Sequence, residues 1–297
     1  MTAFKIALAQ YPIERIESFE AWRAKIKGWV IDAADEGAKL LVFPEYAVME
    51  LAALDPASMG DLHGTIGFVA GLIHDIDAHH AALAAKHGVH IVAATLPCPL
   101  PDGRIVNRAR LFAPNGKVGV QDKLVMTRFE REKWNIAAGG PVRVFDTALG
   151  RIGISICYDV EFPLIARAQA EAGATLILAP SCTDSLQGYW RVRIGAQARA
   201  LESQCFVAQA PTVGMAPWSP VLDENHGAAG LFAPPDGDAP DDGTLALGPL
   251  GHGQWVYGDV DLLRVARWRA DGNVRPFTHW PESGPTTPLP CEVVSLI

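Results

Sequence analysis

Short β-rich apolar runs alternate with segments of helical periodicity along almost the whole chain, and this restricts it to an α/β architecture. Residues 4–9 read as a first strand. Behind Ser18, an N-cap residue type, Phe19, Trp22, Ile26, Trp29, Val30 and Ala33 recur at helical spacing until Gly37. Residues 39–43 then form a buried strand that ends at Pro44-Glu45. A helix over 65–87 and a strand over 89–95 follow, and residues 108–113 and 117–121 flank an Asn115-Gly116 hairpin turn. Residues 151–157 make a strand that ends at Cys157, with a helix starting near Phe162-Pro163. A strand at 175–179, a helix at 188–203 and a strand at 205–210 continue the alternation, and residues 226–233 and 254–261 look like a late strand pair. Residues 234–251, rich in Pro, Gly and Asp, read as an exposed loop, and no period is legible after Asp261.

At 297 residues, one large domain is expected over 1–265, with 266–297 as a tail that wraps the domain or a partner subunit. A net charge of −8 and the lack of a Lys/Arg block exclude a general nucleic-acid surface. No run of about 18 apolar residues suggests a membrane span, and the N-terminal apolar run reads as a strand rather than a leader. The five cysteines, Cys98, Cys157, Cys182, Cys205 and Cys291, form no CxxC pair, which fits a reducing, cytoplasmic setting.

Three segments carry chemistry: Phe43-Pro44-Glu45-Tyr46, Gln121-Asp122-Lys123-Leu124, and Gly153 through Cys157-Tyr158-Asp159 to Glu161-Phe162-Pro163. An amide carbon is a weak electrophile, so a thiol must attack it as thiolate, and a cysteine near pKa 8.5 needs a base or a cation beside it. Glu45 has the chemistry to take the thiol proton and return it to the leaving amine. Lys123 would favour the thiolate and then stabilise the oxyanion, with the backbone N–H of Tyr158 as a second donor.

In these segments, and in Arg199-Ala200-Leu201-Glu202, the chain resembles the nitrilase superfamily of carbon-nitrogen hydrolases over roughly residues 4–265. The resemblance implies a four-layer α-β-β-α sandwich, a Glu45, Lys123 and Cys157 triad, and a second carboxylate near the lysine, with Glu130 preferred and Glu132 as the alternative. It also implies a homodimer or larger homo-oligomer and a reaction without metal or cofactor. Cys157-Tyr158-Asp159 is closer to amidase-branch sequences than to Cys-Trp-Glu or Cys-Gly-Glu nitrilase runs. The expected activity is therefore hydrolysis of a small linear amide, ω-amide or N-carbamoyl compound. The alternatives are a true nitrilase and a catalytically silent binding protein.

Tyr46, Trp134, Glu161, Cys182 and Trp190 are candidate pocket residues, and Trp218 is a further aromatic candidate. The loops 126–135, 183–190 and 211–225 are expected at the entrance. The histidine-rich stretch His74 to His80 has no ligand spacing and reads as a solvated helix face. A papain-like site on His226 or His252 lacks a matching local signature.

Overall fold

The structure is a computed structural model that describes residues 3–284 and 290–297. In its first half, β1 (Ala3–Pro12) is followed by α1 (Phe19–Asp35) and β2 (Ala38–Val42). A 3₁₀ segment, Ala47–Leu54, leads to α2 (Leu62–Gly71), α3 (Ile73–His87) and β3 (His90–Pro99). The hairpin of β4 (Ile105–Phe112) and β5 (Val118–Asp122) precedes a short helix, α4 (Arg128–Glu132). The second half runs through β6 (Val142–Thr147), β7 (Gly150–Ile154), α5 (Pro163–Glu171), β8 (Leu176–Ser181), α6 (Leu186–Ser203) and β9 (Phe206–Met215). It closes with β10 (Glu224–Asn225), β11 (Gly230–Phe232), β12 (Thr244–Leu247), β13 (Gln254–Asp261), α7 (Leu262–Asp271), α8 (Pro276–His279) and β14 (Cys291–Ser295).

Two mixed sheets result. One has the order β13-β1-β2-β3-β4-β5, the other β14-β6-β7-β8-β9-β11-β12. They are hydrogen-bonded to each other where Tyr11 and Pro12 of β1 pair with Thr212 and Val213 of β9. The period-2 geometry of a strand sorts the residues of β1 between two cores. Ile6 and Leu8 join Leu40, Val42, Ile154, Leu176 and Leu178 between the sheets. Ala7 and Ala9 instead join Trp22, Ile26 and Val30 of α1 and Ile76 and Leu83 of α3. Helices α5, α6 and α7 cover the other sheet through residues such as Ala166, Val192, Ala196 and Trp268. This is the four-layer α-β-β-α sandwich of the nitrilase superfamily. Both faces of each central strand are buried, so the strands read as continuous apolar runs.

Several boundaries differ from the sequence reading. The helix expected over 65–87 is two helices, broken at Leu72 just behind Gly71, a residue that weakens a helix interior. The strand before Cys157 ends at Ile154. The strands near 226–233 and 254–261 do not pair: β11 bonds β9 and β12, and β13 bonds β1. The loop at 234–251 contains β12, whose four residues are hidden among Pro, Gly and Asp. The boundary at 265 falls inside α7, and the segment beyond it packs on the domain: Trp268 enters the main core and β14 adds a parallel strand beside β6.

Candidate active site

Glu45, Lys123 and Cys157 each lie just past a strand end, and Glu130 lies in a short helix. Glu45 follows β2 and is fixed by a left-handed turn at Tyr46 (φ 56°), whose N–H donates to Thr95 Oγ1 at 3.0 Å. Lys123 follows β5: its N–H donates to the Asn107 carbonyl at 2.8 Å and its carbonyl accepts from Gly139 N–H at 2.9 Å. Glu130 is the N3 residue of α4 and forms a capping box with Thr127. Cys157 opens the 3₁₀ turn Cys157–Glu161 between β7 and α5 with φ 48°. A non-glycine residue in that left-handed region is strained, and such strain clusters at functional sites.

Lys123 Nζ donates to Glu45 Oε1 and to Glu130 Oε2, both at 2.7 Å, and all three groups are buried. Asn107 Nδ2 donates to the same Glu45 Oε1 at 2.8 Å, while the Cys182 N–H donates to Oε2 at 3.1 Å. The Cys157 thiol donates to the Cys182 carbonyl at 3.7 Å. Glu130 is held further by Tyr46 OH and by the Thr127 N–H and hydroxyl, each at 2.8 Å. Asp159 accepts from the N–H groups of Leu124 (3.1 Å), Val125 (2.8 Å) and Ile156 (3.2 Å), clamping the strand end at Lys123 to the turn at Cys157.

Burial dominates the electrostatics. It pushes the Glu45 carboxyl above its usual range, against the pull of Lys123 and with a further push from Glu130. It lifts the Cys157 thiol well above its ordinary value, Glu45 adds to this, and Lys123 offsets only part. The resting group is therefore the neutral thiol: the Lys123 ammonium pulls towards the thiolate, as expected of it, without overcoming burial. Glu130 stays low despite burial, because Lys123 and its hydrogen bonds favour the carboxylate. Burial lowers Lys123, but the two carboxylates overcome it and leave the ammonium protonated. Burial pushes Asp159 up to about 7 against its backbone donors and Lys123.

The four groups sit in a cleft of about 530 Å³, to whose wall Tyr46, Trp134, Tyr158, Glu161 and Cys182 also contribute. All three expected entrance loops reach it, through Thr127, Asp184 and Val221 among others. Glu132 lies outside and pairs with Arg128 at 2.8 Å. Trp190 is also off the wall, 48% exposed, packed on Tyr189 and on the Arg193 guanidinium. Trp218 is half-buried against the core of the first sheet, and neither His226 nor His252 lines the cleft. His80 is a buried core residue with Nδ1 on the Ile76 carbonyl, and His79 packs on Trp22. Among the described residues no group of three His, Cys, Asp or Glu is arranged to hold a metal ion, and no helix is long and apolar enough to cross a membrane.

The sequence reading assigned no role to Asn107 or Asp159. Asn107 had no local signal, because it stands beside Arg108 and Arg110 in a strand of mixed polarity, Ile105–Phe112. Asp159 lay within the cysteine segment, but its partners at 124 and 125 are distant in sequence.

Comparison with known proteins gives the family and the fold. The carbon-nitrogen hydrolase family profile matches residues 5–251, and the chain belongs to that family. It is 36% identical over 271 residues to the probable hydrolase YhcX of Bacillus subtilis, covering 91% of this chain and 52% of that protein, so it spans about half of that relative's length. It is 25% identical over 237 residues to the omega-amidase NIT2 of Danio rerio, covering 75% of this chain and 76% of the relative. The crystal structure of Saccharomyces cerevisiae Nit3, a member of branch 10 of the nitrilase superfamily, superposes with a TM-score of 0.71 at 20% identity, covering 90% of this chain and 93% of Nit3.

Proposed function

We propose that the chain is an amidase that hydrolyses a small linear amide, ω-amide or N-carbamoyl compound through a thioester on Cys157. The observation that carries this reading is the placement of Lys123 between Glu45 and Glu130 beside the Cys157 thiol on the cleft wall. Because the resting thiol is neutral, Glu45 removes its proton as sulfur attacks the amide carbon, so charge is transferred only when the new bond forms. The developing oxyanion meets Lys123 Nζ and the Tyr158 N–H, which lies in the first turn of a 3₁₀ segment where backbone donors lack intrahelical partners. The intermediate collapses as Glu45 returns the proton to the leaving nitrogen, which departs as ammonia or amine. Water then gives a proton to Glu45 and its oxygen attacks the thioester. The acid leaves and the proton returns to sulfur, so one amide and one water give one acid and one amine.

The Glu130 carboxylate is taken up by Lys123, Tyr46 and Thr127. Its charge balances Lys123, and its hydrogen bonds to Thr127 and Tyr46 fix where Nζ points. The amidase-branch character of Cys157-Tyr158-Asp159 and the similarity to an omega-amidase support an amide over a nitrile.

The test is ammonia release from a panel of amides, carbamoyl amino acids and nitriles by wild type and Cys157→Ala. Release from an amide by wild type, absent in the variant, with an acyl adduct on Cys157 in quenched samples, is the expected result. Release only from nitriles would replace amidase by nitrilase. Full activity in the variant would remove Cys157 from the mechanism.

A further inference from the structure

The cleft wall carries more carboxylates than cations, and its cations already have partners. Lys123 serves Glu45 and Glu130, Arg128 pairs with Glu132 at 2.8 Å, and Arg191 faces Glu161 at 3.6 Å. Asp184, Asp223 and Glu224 also line the cleft, and among the described residues none of them has a Lys or Arg partner. A substrate carboxylate would have to draw Arg128 or Arg191 away from its own carboxylate partner.

Glu161 shares its turn with the nucleophile. It ends the same 3₁₀ turn that Cys157 begins, and the Lys123 charge acts on it. Its side chain is 22% exposed, whereas its partner Arg191 is 60% exposed and meets it at salt-bridge rather than hydrogen-bond distance. Burial pushes the Glu161 carboxyl up, and Arg191 offsets only part of that. The carboxylate is thus partly stripped of water and incompletely compensated, at a point that a substrate's far end can reach.

We propose that the substrate amide carries a cationic group, an ammonium or guanidinium, at the end away from its carbonyl, and that Glu161 is the counter-ion that selects it. This rests on the amidase reading above and narrows it away from ω-amides, whose far end is a carboxylate. A cation entering the cleft displaces the exposed Arg191 from Glu161, while the acidic wall attracts it and repels an anionic amide of the same length. Selection by one partly buried charge pair is worth roughly tenfold in kcat/KM, since each 1.4 kcal/mol is a factor of ten.

Three amides of similar length isolate the charge: γ-aminobutyramide (cationic), valeramide (neutral) and succinamate (anionic). Wild type should hydrolyse them in that order of kcat/KM, and added salt should compress the order. In Glu161→Gln the cationic-to-neutral ratio should fall about tenfold, and Glu161→Lys should move the preference towards succinamate, a reversal that a merely structural glutamate would not produce. A wild-type preference for succinamate, or an unchanged ratio in Glu161→Gln, would overturn the inference. If wild type hydrolyses none of the three, the amidase reading is what fails, and calorimetric binding to Cys157→Ala decides the charge question separately. Tighter binding of γ-aminobutyramide than of valeramide, lost when Glu161→Gln is added to the variant, would uphold Glu161 as a cation selector, and equal or weaker binding, or a preference that survives Glu161→Gln, would reject it.

Discussion

Lys123 shares Glu45 Oε1 with Asn107, so the base is held by two donors on one oxygen while its other oxygen faces the Cys182 N–H. Glu45 must be ionised to accept the thiol proton, and burial raises its pKa. Activity is therefore lost as pH falls through a value above the ordinary carboxylate range, and the acid limb of kcat/KM against pH should lie above about 4.5. Removing the Asn107 donor raises that limb further. Asn107→Leu should shift it upward by about one to two pH units, because a hydrogen bond to a charged group is worth about 1.5–3 kcal/mol. The fold should tolerate this change, because the other amide atom of Asn107, Oδ1, is buried without a partner and leucine removes it. The thiol gives a separate check. With its pKa well above the usual value, Cys157 should react with iodoacetamide more slowly than a free cysteine at neutral pH and accelerate as pH rises. A rate at pH 7 matching a low-pKa thiolate would contradict the neutral resting thiol.

Elements were legible in proportion to how much of their signal is local. α1 has an N-cap serine whose side chain accepts from Ala21 N–H and an apolar face at helical spacing, so it stood out in the sequence. The two segments bearing Glu45 and Lys123 were legible because a buried strand stops at a polar residue. α7 was not. Its buried side is short, Leu262, Val265 and Trp268 at three-residue spacing opposite a face of arginines, and the domain boundary was drawn through it at 265. β14 and β12 are short edge strands specified by the neighbours they pair with, β6 and β11, rather than by their own residues. α7 is nevertheless integral to the fold: Trp268 packs its ring on Phe206 at 5.1 Å and donates from Nε1 to Asp238 at 3.1 Å. Trp268→Ala should cost about 3–5 kcal/mol, read as a lower urea midpoint at unchanged m-value.

Across the whole molecule, the site draws on both sheets. Glu45 and Lys123 stand at the ends of strands in one sheet, Cys157 and Cys182 at the ends of strands in the other, and the Asp159 clamp ties the two together. Within the sandwich the sheets approach closely: a side chain at Gly119 of β5 would run into the Phe145 ring of β6. A slip of one sheet over the other by about 1 Å misplaces the base against the nucleophile without breaking a strand, and such misplacements cost about 10²-fold in rate. In rising urea, ammonia release should therefore fall before the far-ultraviolet circular dichroism does. Coincident transitions would show that the sheets separate only when the strands unfold. The distant partners of Asp159 and Asn107 were illegible in the sequence for the same reason, because contacts across this boundary have no local pattern.

The β1–β9 junction at Tyr11 and Pro12 is the corner where the two sheets are stitched by backbone bonds. A fragment ending before β6 would own a base without a nucleophile, and the remainder a nucleophile without a base. Neither half holds the full set of reacting groups, so the chemistry belongs to the seam.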